Sequence, residues 1–533
     1  MDKAEEEALS HISAFEISEK MIDIAKNNQQ HAPLLDAGRG NPNWINTKGR
    51  LAQARLIEFG IKESQRTIND GDLAGYIDKD GIAQRFCDFL NPECNEIDKF
   101  LMDIFNYLQN DMKFTDMDAV IAEFANGVIG NTYPTPSRVL KYSEEIINKY
   151  LQKVLYNDEP LANQTDLFLT EGGTAAIVYL FHSLKENHLL NPGDKIAINT
   201  PIFTPYLEIP ILNDYQLVEL DLSSEESRDW ELSSNELVKL QDPNIKAFFL
   251  VNPSNPGSRA LTKHSLECIK RAVAKNPNLI IITDDVYGTF ADDYRSVYSV
   301  APHNTLLVYS FSKLFGVTGW RLGVIATNKN NVFDHMIHNL PTADKKELEK
   351  RYGVVKLHPD KMKFIDRIVA DSRSIGLYHT SGLSTPQQIL AALFALTHLV
   401  LKSKDDPYIV SSKRLVNSRY DKLYETLGLP ISESKYNTNY YAMIDVYHLA
   451  EVKYDKAFRD YLKNTYSPLD FLVRLAEEYG IVLMYGRGFG AKGDNLRVSE
   501  ANLVLDDYQR IGKTIIKLLN EYHQEYLASQ QNK

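Results

Sequence analysis

The sequence predicts an α/β protein with a mostly parallel sheet in a large domain, a smaller α+β domain and helical insertions. Three observations predict this fold class. The 533 residues exceed what one hydrophobic core holds, so two or more domains are expected. After residue 165, short and nearly continuous apolar runs alternate with helical patterns, which is typical of a parallel sheet covered by helices on both faces. Beyond residue 430, helical patterns mix with short strand-like runs such as YYAMIDVY, IVLMY and NLRVSE.

The strands of the predicted sheet are short apolar runs in the middle of the chain. A first run lies near residue 168, and the others are KIAINTPIF (195–203), KAFFLVN (246–252), LIIITDD (279–285), TLLVYSF (305–311) and GVIAT (323–327). Ligands of such sheets bind beyond the carboxyl ends of the strands, so the polar residues that follow each run are the first candidates for a functional site.

The same patterns divide the chain into four predicted units. These are an N-terminal arm that belongs to the small domain (1–49), a helical insertion (50–130), a large domain (131–385) and a C-terminal small domain (386–533). The arm starts with an amphipathic pattern over 5–27, and a second insertion lies near 341–364 in the large domain.

Composition excludes several classes of function. Acidic residues outnumber basic ones 71 to 59, and a net charge of −12 argues against nucleic acid or an anionic membrane as the main partner. The acidic N-terminus does not resemble a targeting signal, and the longest apolar stretch, 389–401, is too short to cross a bilayer. Three cysteines without a CxxC pair indicate free thiols in a reducing cytoplasm, with neither a disulfide framework nor a metal site.

Two charged residues end neighbouring apolar runs. The run LIIITDD carries Asp284 near its end. Burying a carboxylate at the end of a strand costs free energy unless a cation lies beside it. TLLVYSF is followed by Lys313, and burial favours the neutral amine, a nucleophile suited to forming an imine with an aldehyde. A single lysine at a strand end is more often a surface residue, so the interpretation depends on its neighbours.

The neighbours of Lys313 match a phosphorylated pyridine aldehyde that carries a ring oxygen. Asp284 would keep the pyridine nitrogen protonated, which makes the ring an electron sink. Gly173 and Thr174 open a helix whose amides favour phosphate, although most such turns are only helix starts. The other candidates are Ser310, Ser312 and Arg321 near the phosphate, Tyr287 and Asn255 near the ring oxygen, and Phe203 stacked on the ring. Phe203 alone indicates only a core aromatic, and NPSNPG alone only a rigid loop.

Three motifs carry a family resemblance. NPSNPG, DDVYGTF and SFSKLFGVTGWRLG, in this order, resemble the aspartate aminotransferase superfamily of fold type I, whose cofactor is pyridoxal 5′-phosphate (PLP). The resemblance covers residues 130–330 well and continues to Arg497. It implies that Lys313 holds the cofactor as an imine and later moves a proton, with Asp284 and Tyr287 as the other catalytic side chains. Tyr133, in YPTPSR, resembles a tyrosine that reaches the phosphate of a neighbouring subunit, which implies at least a homodimer.

The same resemblance suggests a substrate side. Arg497 in NLRVSEAN matches the arginine that clamps the substrate α-carboxylate, with a surface salt bridge as the alternative. GRGNP (38–42), with Gly38 and Arg39, resembles the loop that closes over the substrate. GRGFGAKG (486–493) is not a dinucleotide fingerprint because a strand-like segment follows where a helix is required. Its Arg487 is a third cation for a dicarboxylic amino acid or, alternatively, a solvent-exposed loop charge.

The extra length narrows the resemblance to the aspartate 4-decarboxylase family. Both insertions, together with GRGNPNW and EGGTAA, are similar to that family. It implies conversion of L-aspartate to L-alanine and carbon dioxide, through imines of PLP, with side aminotransferase activity on 2-oxo acids. It also implies a large, dodecamer-like homo-oligomer. Two alternatives remain open: an aminotransferase without decarboxylase activity, and a non-catalytic protein with this fold.

Overall fold

The structure, a computed structural model, describes residues 13–222, 230–379, 382–401, 405–467, 469–491 and 495–531. The start of the helix predicted over 5–27 and the end of the GRGFGAKG loop lie outside the described residues. No helix within the described ranges combines the length and the apolar character that crossing a bilayer requires.

Helices make up much of the described chain. They are α1 (Ala14–Lys26), α2 (Thr47–Ser64), α3 (Ile82–Phe89), α4 (Glu96–Asn110), α5 (Met117–Ile129), α6 (Lys141–Val154), α7 (Gly173–Glu186), α8 (Thr204–Leu212), α9 (Ser234–Leu237), α10 (Lys263–Lys275), α11 (Val332–His338), α12 (Thr342–Tyr352), α13 (Phe364–Ser372), α14 (Thr385–Leu399), α15 (Pro407–Leu427), α16 (Val446–Lys453), α17 (Lys456–Thr465), α18 (Asp470–Tyr479) and α19 (Leu505–Gln531).

The strands form a large sheet and smaller pairings. They are β1 (Leu35–Asp36), β2 (Thr165–Glu171), β3 (Lys195–Thr200), β4 (Gln216–Asp221), β5 (Ile245–Val251), β6 (Ile280–Asp284), β7 (Thr305–Ser310), β8 (Leu322–Asn328), β9 (Tyr441–Asp445), β10 (Ile481–Val482), β11 (Met484–Tyr485) and β12 (Asn495–Ser499).

The large sheet has seven strands in the order β2-β8-β7-β6-β5-β3-β4. The pairings among β4, β3, β5, β6 and β7 are parallel, which agrees with the predicted mostly parallel sheet. Strand β8 is the exception, since it runs antiparallel to both β7 and β2. The segment 311–321 between β7 and β8 holds no α-helix, and it is too short for the crossover that a parallel neighbour needs.

A second sheet carries the C-terminal strands. β12 lies between β11 and β9 and is antiparallel to both. Near it, β1 pairs in parallel with β10, with Leu35 opposite Ile481. The N-terminal arm is thereby attached to the small domain, and it leads the chain from there towards the large sheet.

Two main hydrophobic clusters show how these parts pack. The larger cluster includes the sheet together with the helices of the predicted insertion (50–130), so this insertion shares the core of the sheet. Helix α14 packs against α2, α5 and α6 in the same cluster, which differs from its predicted assignment to the small domain. Within α15, Val416 belongs to the larger cluster and Leu423 to the smaller one. The two clusters therefore meet along this helix.

The insertion near 341–364 is fastened by a buried carboxylate. Asp371 on α13 accepts a hydrogen bond from the Tyr352 hydroxyl (2.8 Å) and one from the Ser183 hydroxyl (2.6 Å). The Arg351 guanidinium adds an ion pair at 3.0 Å. Since the Asp371 side chain is fully buried, this cluster joins α12 to both α13 and α7.

Replacing Asp371 is expected to destabilise the fold. Asp371→Ala leaves the Tyr352 hydroxyl and part of the Arg351 charge without their acceptor, and breaking a buried pair costs about 3–5 kcal/mol. Urea denaturation monitored by circular dichroism measures the change in the free energy of unfolding. The control Asp360→Ala, at an exposed position, is expected to change it by less than about 0.5 kcal/mol. Equal effects of the two substitutions would contradict the proposed fastening.

Candidate active site

A cleft of about 550 Å³ lies at the carboxyl ends of the sheet strands, next to β9 and β12. It brings together most of the residues that the sequence predicted: Arg39, Gly173, Thr174, Phe203, Asn255, Asp284, Tyr287, Ser310, Ser312, Lys313, Arg321 and Arg497. It is also lined by Gly40 and Asn41 of the predicted GRGNP loop, and by residues that the sequence did not single out: Phe15, Tyr206, Val251, Val286, Thr318 and Tyr441. Gly38, Tyr133 and Arg487 do not line it.

Lys313 is half-buried in the turn after β7. Its Nζ donates a hydrogen bond to the Gly40 carbonyl at 3.0 Å, and the Tyr440 hydroxyl donates to the same oxygen at 2.9 Å. The Trp44 indole donates to the Leu314 carbonyl at 3.0 Å. The loop that begins at Gly38 is therefore tied directly to the turn that carries Lys313.

Asp284 ends β6 and is buried. The Tyr206 hydroxyl donates to its Oδ2 at 2.9 Å, and the Val286 amide donates to its Oδ1 at 3.3 Å. Burial raises the pKa of Asp284 to about 6, while Tyr206, Val286 and the nearby Lys313 act in the opposite direction. A cation bound close to Asp284 would lower the pKa of this carboxyl and so keep it charged at lower pH.

The opposite end of the cleft is suited to an anion. Gly173 is the first residue of α7, and the preceding Gly172 has a φ of +90°, which favours glycine. A Cβ at Gly172 would lie 2.3 Å from Nη2 of Arg321, so the guanidinium packs directly on this turn. The Ser310 and Ser312 hydroxyls lie 2.9 Å apart nearby. Helix amides, two hydroxyls and a guanidinium are the donors that bind phosphate.

Arg497 lies on β12 and is only 2% exposed, which argues against the alternative of a surface salt bridge. Its Nη1 donates to Asn255 Oδ1 at 3.0 Å, and its Nη2 donates to the Gly38 carbonyl. The guanidinium also lies over the Tyr441 ring, 4.3 Å from the centroid. Its Nε has no hydrogen-bond partner, so this buried cation has capacity left for an anion.

The remaining predicted residues are Gly38, Arg39, Tyr133 and Arg487, and of these Arg39 alone lines the cleft. Arg39 lines the cleft with a 61% exposed side chain, and its Nε lies 4.0 Å from Asp36 Oδ2. Gly38 lies behind Arg497 and donates its amide to Asp36. Arg487 is exposed in the turn Gly486–Phe489, outside the cleft. Tyr133 is 68% exposed and lies outside the cleft of its own chain.

Two of the missed residues make functional contacts. Tyr206 holds Asp284, and Tyr441 places its hydroxyl 2.8 Å from that of Tyr287. Both lie in apolar surroundings in the sequence, in FTPYLEI and NYYAMI, where a tyrosine predicts only a core position. For Tyr206, the one available signal is Asp284 in the DDVYGTF motif, since a buried carboxylate requires a hydrogen-bond donor.

Residues 100–515 match the family model described as aminotransferase class I and II. A bifunctional aspartate aminotransferase and L-aspartate beta-decarboxylase of Pseudomonas sp is 43% identical to this chain over 528 residues, which cover 98% of each protein. The chain belongs to the class I and II aminotransferase family. Members of this family depend on PLP.

Other aminotransferases match less of the chain or match in fold alone. An aspartate aminotransferase of Pyrococcus abyssi is 32% identical over 213 residues, which cover 39% of this chain and 52% of that protein. Among solved structures, an aspartate aminotransferase double mutant from Thermus thermophilus aligns with a TM-score of 0.59 at 18% identity, over 95% of this chain and 96% of that one. The predicted α/β fold of the PLP-dependent aminotransferases is thereby confirmed.

Removing the carboxyl at position 284 is expected to change how stability depends on pH. Burial raises the pKa of Asp284 from 3.8 to about 6, so the folded chain holds this proton more tightly than the unfolded chain. The carboxyl therefore stabilises the fold most below about pH 4, and this contribution is lost as the pH rises to about 6. Relative to Asp284→Asn, the ligand-free chain should lose about 3 kcal/mol of unfolding free energy between about pH 4 and pH 7.

Urea denaturation of both proteins across this pH range measures the difference. Asp360→Asn, at an exposed position, serves as the control and should follow the unsubstituted chain at every pH. A difference between the chain and Asp284→Asn that stays constant, or that grows with pH, would contradict the effect of burial.

Proposed function

We propose that the chain binds PLP and converts L-aspartate to L-alanine and carbon dioxide, with aspartate aminotransferase activity beside it. The observation that carries this proposal is the full-length similarity to the bifunctional Pseudomonas sp enzyme, which covers 98% of both chains and so includes the helical insertion. The aspartate aminotransferase of Pyrococcus abyssi, in contrast, aligns with 39% of the chain.

The cleft fits PLP at each of its functional groups. The donors around Gly173 and Arg321 suit the phosphate, and Asp284 suits a protonated ring nitrogen. Because Arg497 occupies Oδ1 of Asn255, the amide nitrogen of Asn255 is left to donate to the ring oxygen, together with the Tyr287 hydroxyl. Phe203, from the segment before α8, supplies an aromatic wall. Lys313 supplies the amine to which the aldehyde carbon would be attached.

When bound, the protonated ring accepts the electron pair that is released as a bond to the substrate breaks. The side chains of this protein supply positioning and proton transfer. Arg497, a buried guanidinium that lines the cleft, is suited to bind the α-carboxylate. Lys313, close to the Gly40 carbonyl, is placed to take the proton from the α-carbon and to return it. Phe15 and Phe203 form an edge-to-face pair, 5.5 Å between centroids, on one wall of the cleft.

The second carboxylate of aspartate is best assigned to Arg39. Of the two loop arginines, Arg39 lines the cleft and Arg487 does not. Arg39 is largely exposed and already 4.0 Å from Asp36, so its hold on the leaving carboxylate is weak. A weak hold suits the reaction, because strong binding of the carboxylate in the ground state would not accelerate its departure.

We further propose a cytoplasmic homo-oligomer of at least two subunits. Tyr133 is exposed and outside its own cleft, which supports its role at the phosphate of a neighbouring subunit. The cytoplasmic location is proposed because the three cysteines, Cys87, Cys94 and Cys268, are unpaired in the structure.

Incubation with L-aspartate and PLP, without any 2-oxo acid, tests the proposed activity. The chain is expected to release carbon dioxide and alanine in equal amounts over many turnovers, while Lys313→Ala should release neither above background. An enzyme that only transaminates would stop after one oxaloacetate per subunit. That outcome would contradict the decarboxylase assignment and favour the aminotransferase alternative.

Substitution of the two loop arginines separates their roles. Arg39→Ala is expected to raise the KM for aspartate about threefold to fivefold, since an exposed ion pair of this kind is worth at most about 1 kcal/mol. Arg487→Ala is the matched control from the other loop and should leave KM within about twofold. Steady-state kinetics of carbon dioxide release measure both. The opposite order of effects would return the substrate role to Arg487.

A further inference from the structure

We propose that Tyr441 donates the proton that replaces the departing carboxylate at the β-carbon of aspartate. This inference rests on the proposed function and deepens it. The sequence predicts no role for Tyr441, and no other side chain with an assigned role in the cleft supplies this proton.

Tyr441 lies where the substrate side of the cleft meets the cofactor side. It is the first residue of β9, and it lines the cleft. Its hydroxyl lies 2.8 Å from that of Tyr287 and packs against Gly40, where an added Cβ would come within 2.1 Å of it. Arg497 covers its ring at 4.3 Å. The phenol is therefore close to the loop that carries Arg39 and to the arginine proposed for the α-carboxylate.

The reaction requires one proton at this side of the cleft. The bond between the β-carbon and its carboxylate breaks, carbon dioxide leaves, and the electron pair is left to the carbon skeleton. The β-carbon then forms a bond to the proton of the Tyr441 hydroxyl, whose electron pair remains on the phenolate oxygen. Water returns a proton to that oxygen, so that aspartate and one proton give alanine and carbon dioxide.

The other acidic groups that line the cleft are engaged elsewhere. The Tyr206 hydroxyl donates to Asp284 at 2.9 Å, and Lys313 serves the α-carbon. Burial raises the pKa of Tyr287 well above its ordinary value, and the one proton of its hydroxyl is already assigned to the ring oxygen of the cofactor. Ser310 and Ser312 lie at the phosphate end. Tyr441 is thus the best placed acid among the described residues.

Tyr441→Phe tests the inference in the PLP-loaded enzyme, with aspartate labelled at its β-carboxylate. The departure of carbon dioxide precedes the proton transfer, so the first turnover should release labelled carbon dioxide at a rate within about threefold of normal. Steady-state alanine formation should fall about 100-fold or more, as for loss of a general acid. The affinity of the apoprotein for PLP, measured by absorbance titration, should stay within about threefold.

Two further variants complete the experiment. Tyr424→Phe removes the hydroxyl of another buried tyrosine of the small domain, and it should leave every rate unchanged. Tyr441→His keeps a proton donor at the position, and it should form alanine at least about tenfold faster than Tyr441→Phe does.

The remaining outcomes overturn the inference in different ways. An equal fall of the first carbon dioxide release and of alanine formation would make Tyr441 a positioning residue only. Unchanged rates in Tyr441→Phe would assign the proton to Lys313 or to water. A chain with Tyr441 intact that releases no carbon dioxide would overturn the proposed function together with this inference.

Discussion

The cleft is built around two buried charged side chains whose hydrogen-bond partners in the chain are neutral. Asp284 accepts hydrogen bonds from a phenol and a backbone amide, and Arg497 donates to an amide side chain and a carbonyl. Leaving a buried charge without a counter-charge costs several kcal/mol. A ligand compensates both charges when it carries a cation at one site and an anion at the other. A pyridinium ring joined to an amino acid has this pattern, and the surrounding residues serve to hold the two charges in place.

Elements from both hydrophobic clusters are needed to hold these charges. Asp284 ends a strand of the large sheet and Lys313 lies in the turn after another, whereas Arg497 lies on a strand of the small sheet. The segment after Gly38 joins them, because the Asn43 amide donates to the Ala501 carbonyl at 2.9 Å and the Asn46 amide donates to the Phe315 carbonyl at 3.1 Å. The distance between the buried charges therefore depends on this segment, which also carries Arg39 and the acceptor for Lys313.

The sequence predicted the parts of the fold and site that have strong local patterns. Continuous apolar runs predicted β5, β6 and β7, and the residues after them line the cleft. It missed β4, an edge strand in which half of the residues are exposed and one is buried, because the pattern of a buried strand is weak there. It also assigned α14 to the small domain, since an apolar helix does not specify which core it enters. Tyr206, Tyr441 and the position of Arg487 depend on contacts between distant segments, which local patterns do not encode.

The claim on which this account depends is that the amine of Lys313 holds PLP in the cleft. Reduction of the PLP-loaded protein with borohydride fixes the cofactor on the amine to which it is bound, and peptide mass spectrometry then locates it. One pyridoxyl group per chain is expected, on the peptide that contains Lys313. A pyridoxyl group on another lysine, or none on a protein shown to be folded, would contradict it.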